Sequence, residues 1–180
     1  MKKLTLALVA ILGFAATPAM ADIDYGLEVG IRQQSGDVKS GSTDSQMGLQ
    51  FGATVHAPLS GPWHLRTGML YTQRPLVVKA TPDNKVTMNY LDIPVALMYK
   101  FEEGAGVYAG ISLAMNLDKK ADSGTVEDVK SPMTPFILGA TFKFAENLGA
   151  GIYYETASGE AAKNLENYRA VGANLMITFD

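Results

Sequence analysis

The sequence predicts an all-β fold, an eight-stranded antiparallel up-and-down transmembrane β-barrel, and three observations carry that prediction. Apolar residues alternate with small or polar ones at period two through most of the chain, the mark of strands whose two faces meet different surroundings. The alternating segments number eight, an even set that can close without leaving a sheet edge. Their connections are alternately short and long, as in barrels threaded through a bacterial outer membrane.

The N-terminal residues predict export. Lys2 and Lys3 precede an apolar run from Leu4 to Ala16, followed by Thr17, Pro18 and the small-residue site Ala19-Met20-Ala21. This pattern predicts a signal peptide over residues 1–21, cleaved after Ala21, and a barrel domain over residues 22–180. A helical anchor needs about 18 or more apolar residues, and this run is shorter and breaks at Pro18. No later stretch reaches that length either, so residence in a membrane requires a closed barrel. Removing Lys2 and Lys3 from 15 basic residues leaves 13 against 18 acidic ones, a net charge of about −5. With no basic block, nucleic acid is not an expected partner. The chain has no cysteine and two histidines, which excludes disulfides and argues against a structural zinc site.

The first strand alternates Tyr25, Leu27, Val29 and Ile31 with Gly26, Glu28, Gly30 and Arg32. The second sets Met47, Leu49, Phe51, Ala53 and Val55 against Gly48, Gln50, Gly52, Thr54 and His56. After the turn formers Pro58-Leu59-Ser60-Gly61-Pro62, a third places Trp63, Leu65, Met69 and Tyr71 opposite His64, Arg66, Gly68 and Thr72. The fourth is the run Tyr90-Leu91-Asp92-Ile93-Pro94-Val95-Ala96-Leu97-Met98-Tyr99-Lys100-Phe101, with Asp92, Pro94, Ala96, Met98 and Lys100 on one face. A turn over residues 102–106 leads to the fifth, where Val107, Ala109, Ile111, Leu113 and Met115 oppose Tyr108, Gly110, Ser112, Ala114 and Asn116.

The sixth runs near residues 134–144 with Phe136, Leu138, Ala140, Phe142 and Phe144 on its apolar face. Ala145-Glu146-Asn147 connects it to the seventh, Leu148, Ala150, Ile152 and Tyr154 against Gly149, Gly151, Tyr153 and Glu155. The eighth alternates Arg169, Val171, Ala173, Leu175, Ile177 and Phe179 with Tyr168, Ala170, Gly172, Asn174, Met176 and Thr178. Long polar connections are expected over residues 35–46, 76–85, 118–132 and 157–167, outside the cell, with both termini periplasmic.

Which face points inward follows from space. An eight-stranded barrel is only wide enough for side chains to fill it, so the glycine-rich face is the interior and the bulky, nearly uncharged face meets lipid. A soluble lipocalin-like barrel would reverse this assignment. The interior face then carries Glu28, Arg32, Arg66, Asp92, Lys100 and Glu155, and buried charges require partners, so these six are expected to form a lumen polar network. Tyr25, Trp63, Tyr71, Tyr99, Phe101 and Phe179 suit aromatic girdles at the membrane interfaces. Pro94 cannot donate to a ladder and predicts a bulge or bend.

The run from Tyr90 to Phe101 resembles the central strand of small outer-membrane β-barrel proteins of the PorT-like or OmpX-like type, whose members carry a Tyr-Leu-acidic-Ile-Pro run ending in Tyr-Lys-Phe. The resemblance is specific over about a dozen residues. It implies a small barrel in a Gram-negative outer membrane, in contact with lipid and lipopolysaccharide and inserted by the barrel-assembly machinery. It implies no one shared activity. Many such barrels end on an aromatic residue, whereas here Asp180 follows Phe179.

For chemistry the sequence offers little. His56 and His64 flank the Pro58–Pro62 turn without an assigned serine partner. Glu28 and Glu155 have no obvious route for a substrate in a filled lumen. The acidic loop residues Asp37, Asp44, Asp83, Asp118, Asp122, Glu127 and Asp128 lack EF-hand spacing. No catalytic residue, cofactor or metal is therefore assigned. The expectation is a monomeric, non-enzymatic barrel whose four outer loops serve envelope-structural or surface-interaction roles with an unassigned partner. The alternatives are a lipid-modifying barrel enzyme, a soluble periplasmic ligand-binding barrel and a narrow pore.

Overall fold

A computed structural model describes residues 23–38, 42–79, 83–102, 104–122, 128–162 and 165–179; the expected signal peptide and Asp180 lie outside them. The chain forms eight strands: β1 (Asp24–Val38), β2 (Thr43–Ser60), β3 (Trp63–Val78), β4 (Asn84–Glu102), β5 (Ala105–Ala121), β6 (Phe136–Ala145), β7 (Leu148–Ala162) and β8 (Leu165–Phe179). Each strand pairs with the next, and β8 pairs with β1 to close the barrel. All eight pairings are antiparallel, and the closing seam sets Tyr25 opposite Phe179 and Leu27 opposite Ile177.

Burial follows the period-two pattern. Along β8, Ala170, Gly172, Asn174, Met176 and Thr178 are buried while Val171, Ala173, Leu175, Ile177 and Phe179 are exposed. The outer wall is a belt of large apolar side chains, Ile152 being 63% and Val171 60% exposed. An apolar wall around a charged interior is the reverse of a lipocalin-like ligand barrel. The inner face is crowded. A Cβ on Gly52 would lie 2.1 Å from the Met69 carbonyl oxygen, and one on Gly110 2.2 Å from that of Val95.

The strands are longer than the hydropathy segments. At about 3.3 Å per residue the 19 residues of β4 extend well past the roughly 9–11 needed to cross a bilayer. The surplus lies at the end expected to carry long loops: β1 reaches Val38 and β2 starts at Thr43, β3 reaches Val78 and β4 starts at Asn84, and β7 reaches Ala162 and β8 starts at Leu165. The expected connections 35–46 and 157–167 are thus mostly strand among the described residues, and the expected connection 76–85 is strand over 76–78 and 84–85. Beyond the lipid slab, outward side chains no longer need to be apolar. The alternation fades there, yet the ladder continues through Val77 opposite Lys85 and Thr87 opposite Lys120.

The 10-residue β6 is the exception. Beyond it, Met133 bridges Ala114, and the Ser112 N–H donates to the Pro135 carbonyl at 2.8 Å. An irregular segment therefore extends the wall at the outer end. At the opposite end the connections are tight. Gly61 takes a φ of 53° in the Gly61-Pro62 link, a conformation that suits glycine at the first position of a two-residue hairpin turn.

Pro94 makes no bulge. It pairs with Ser112 in unbroken register on the β5 side. On the β3 side Thr67 opposite Val95 and Leu70 opposite Asp92 keep one register across it. Only the ladder between those two pairs is interrupted, because proline removes one donor without inserting a residue. The register shifts of the β4–β5 pairing fall elsewhere, between Asn89 and Tyr90, where the extra residue is Leu117 of β5, and between Lys100 and Glu102, where it is Phe101 of β4.

Candidate functional site: the charged lumen

Inward parity places the chain's polar residues in layers along the barrel axis. The central layer draws Arg32 from β1, Arg74 from β3, Asp92 from β4, and Glu155 and Tyr168 from β7 and β8. Arg74 grips Asp92 with two bonds, Nη1 to Oδ1 at 3.0 Å and Nη2 to Oδ2 at 2.9 Å, and donates to Glu155 Oε1 at 2.8 Å. Arg32 holds the same Glu155 at 3.2 and 3.4 Å. The Tyr168 hydroxyl accepts from Arg74 Nε at 3.1 Å and also from Arg32. Two guanidiniums thus meet two carboxylates, all four side chains fully or almost fully buried, and the layer carries no net charge. Hydrogen-bonded pairs of opposite charge are the form in which buried ions are tolerated, and only the Arg32 Nε of these guanidiniums is buried without a partner.

The second layer lies nearer the short turns. Arg66 Nη2 donates to both Glu28 oxygens at 2.7 and 2.9 Å, and Asn174 Nδ2 donates to Glu28 at 2.6 Å. The Arg66 guanidinium lies 4.7 Å from the Tyr108 ring centroid, as Arg74 lies 4.5 Å from that of Tyr90; aromatic faces thus cover the flat cation surfaces that have no hydrogen-bond partner. A cavity of about 30 Å³ separates the layers and is bounded by Asp92, Ser112, Tyr153, Glu155 and Asn174 among others. It has room for one or two water molecules.

Above the central layer, Leu76, Met88, Tyr90, Met133 and Leu165 form an apolar cluster that closes the outer end of the lumen. At the short-turn mouth, Lys100 Nζ lies 2.6 Å from Asp24 Oδ2. The outer rim carries exposed pairs, Arg169 with Asp37 at 2.9 Å and Lys79 with Asp44 at 2.7 Å and Asp83 at 2.9 Å.

The six expected lumen charges all point inward and none is without an opposite charge, but they do not form one network. Glu28 joins Arg66, Arg32 joins Glu155, and Lys100 stands apart with Asp24. Glu28 and Glu155 form no dyad, each being held by its own arginines. His56 Nε2 accepts from Arg66 at 3.4 Å and His64 contacts the Pro62 carbonyl at 3.2 Å, so neither has a serine as its partner. Among the described residues no three His, Cys, Asp or Glu side chains converge as a metal site would require.

Arg74, which the sequence reading left unassigned, carries the largest share of the bonds. Its signal was present, since Arg66, Gly68, Thr72 and Arg74 share one parity. Asp24, by the same count, sits in phase with Gly26 and Glu28.

The aromatic positions gather at two levels. Trp63 and Tyr99 meet edge to face at 4.9 Å and Tyr99 meets Phe101 at 5.3 Å, beside the short turns, where Tyr25 opposes Phe179 across the seam. Tyr71 packs on Phe51 at 5.0 Å, further toward the outer end.

The described architecture matches known proteins in fold. No protein of curated function is significantly similar to the chain in sequence. Among solved structures, Neisserial surface protein A superposes with a TM-score of 0.54 at 15% identity, covering 87% of this chain and 97% of its own. Ail, the attachment invasion locus protein of Yersinia pestis, gives 0.51 at 12% identity over 87% and 99%. The outer membrane protein OprG of Pseudomonas aeruginosa gives 0.50 at 14% over 86% and 93%. At such identities the likeness is one of fold. The sequence itself matches, over residues 14–174, the family described as outer membrane protein beta-barrel domain, and the chain belongs to that family of Gram-negative outer-membrane barrels.

Proposed function

We propose that the protein is a monomeric, non-enzymatic barrel with a sealed lumen, oriented with both termini in the periplasm, and that its outer rim serves an envelope-structural or surface-interaction role. The observation that carries this reading is the central layer: Arg32, Arg74, Asp92 and Glu155 fill the cross-section with hydrogen-bonded, mutually neutral charge, beneath an apolar closure. A packed lumen leaves no path for substrate or ion, and the two histidines bond to an arginine and a backbone carbonyl rather than to a nucleophile. The partners we assign are lipopolysaccharide around the apolar belt and the barrel-assembly machinery, which would read the strand that ends in the exposed Phe179.

Two measurements test the proposal together. The purified barrel in a planar bilayer should give no stable conductance steps, and deletion of its gene should leave the lipid A and phospholipid profiles unchanged. Reproducible unitary steps would favour the pore, and a lost lipid modification would favour the enzyme.

A further inference from the structure

The cavity between the two ion layers forms where Pro94 and Ser112 face each other across β4 and β5, two short side chains at one level of the lumen. Its space of about 30 Å³ is bounded by both of them and by Arg66, Tyr153 and Asn174 among others. Four of these side chains carry a buried polar atom with no partner in the protein: Arg66 Nε, Ser112 Oγ, the Tyr153 hydroxyl and Asn174 Oδ1. The four residues are between 2% and 8% exposed, so bulk solvent does not satisfy them. Neighbours hold three of them in place. Arg66 Nη2 and Asn174 Nδ2 are both committed to Glu28, and the Tyr153 ring lies on Gly172, where a Cβ would stand 2.3 Å from Tyr153 Cζ. A buried donor or acceptor costs free energy unless something in the cavity bonds to it.

We propose that this cavity is a hydration site, in which one or two long-lived water molecules link β3 and β8 to β5 and β7 through Arg66, Asn174, Ser112 and Tyr153. Size selects the class. The volume is about that of one water in the liquid, roughly 30 Å³, and it excludes any organic solute. The donor set agrees: Arg66 Nε donates, Asn174 Oδ1 accepts and the two hydroxyls do either, which supplies the polar partners that a buried water uses. An ion is a poor fit, because each charged group at the wall, Arg66, Asp92 and Glu155, already holds an opposite charge. The site stands whatever the outer rim binds.

Two readouts test the site. A high-resolution crystal structure of the barrel should show a discrete solvent peak within hydrogen-bond distance of at least two of the four atoms. Stability gives the sign independently, since Tyr153→Phe and Ser112→Ala each delete one hydroxyl with little change of shape. With water bonded there, each variant leaves that water short of a partner and lowers the urea midpoint in lipid vesicles; in a dry cavity each removes an unsatisfied hydroxyl and raises it. Because both hydroxyls hold the same water, the double variant should lose less than the sum of the single losses. A heat-modifiability gel establishes that each variant is folded. Should Tyr153→Phe not fold, Ser112→Ala and the crystal structure of the parent protein decide the matter. A cavity without that solvent peak, or a midpoint that fails to fall in the folded variant, would overturn the site.

Discussion

Replacing Arg74 by methionine is the sharpest probe of the lumen. The residue is fully buried and donates four hydrogen bonds, two to Asp92 and one each to Glu155 and Tyr168. Methionine keeps much of the length but leaves Asp92 without its bidentate partner, while Glu155 retains Arg32. Breaking one side of a buried pair costs about 3–5 kcal/mol, because a desolvated carboxylate is stranded. Removing the second charge as well, in Arg74→Met/Asp92→Leu, trades the pair for apolar contacts. That exchange is often neutral or stabilising, so the double variant should lie within about 2 kcal/mol of the parent. The two sites should therefore couple by at least about 1 kcal/mol, within the range seen for neighbours in one network. Urea unfolding of the barrel in lipid vesicles, followed through Trp63, the only tryptophan, measures all four corners of the cycle. A single-variant loss below about 1 kcal/mol, or a double variant no better than the single, would refute the account of this layer as a tightly desolvated ion cluster.

Three further outcomes follow from the geometry. Gly110→Ala forces a Cβ to 2.2 Å from the Val95 carbonyl oxygen and 2.5 Å from the Ala96 Cα and should cost about 1–3 kcal/mol by overpacking; Gly104→Ala, whose nearest neighbour is 3.6 Å away, should be close to neutral in the same urea assay. Ile152→Lys, on the apolar belt, should destabilise the barrel in vesicles by up to about 2–4 kcal/mol, whereas a water-facing position would tolerate it. At the outer rim, the hydrogen bonds that the exposed Lys79 ammonium donates to Asp44 and Asp83 push its pKa up to about 12 from its ordinary 10.5. The raised value means that any stabilisation is complete below pH 10.5 and lost as the pH rises through 12. The Lys79 side-chain resonances should titrate in that window and return to the ordinary value in Asp44→Asn/Asp83→Asn.

How much of this was legible in the sequence depended on whether lipid or lumen imposed the pattern. From Tyr25 to Ile31, lipid outside and crowding inside leave only one arrangement of alternating residues, and the faces can be read residue by residue. Above Gln33 the outer face meets water, polar residues are allowed on both sides, and the signal disappears although β1 runs on to Val38. Arg74 was lost at this boundary. It follows Thr72 in phase, but Gln73 on the outward face ends the apolar alternation that marked the strand. Pairings were hidden for a different reason. Arg74 and Glu155 are 81 residues apart and meet across the lumen, a contact fixed by barrel closure and stagger, which parity within one strand does not encode.

The order of the layers also bears on what the mouth can do. An ion entering at the short-turn mouth would find, one level deeper, an arginine already committed to Glu28 at 2.7 Å, and beyond it two more arginines shared between Asp92 and Glu155. Conduction requires successive sites that compete for the ion on nearly equal terms. Here each of these guanidiniums is tied to a carboxylate, and the apolar cluster of Leu76, Met88 and Met133 closes the far end. The same ion pairs that neutralise the lumen therefore offer an ion no graded series of sites, and a closed, non-conducting interior is what the axial arrangement of charge favours.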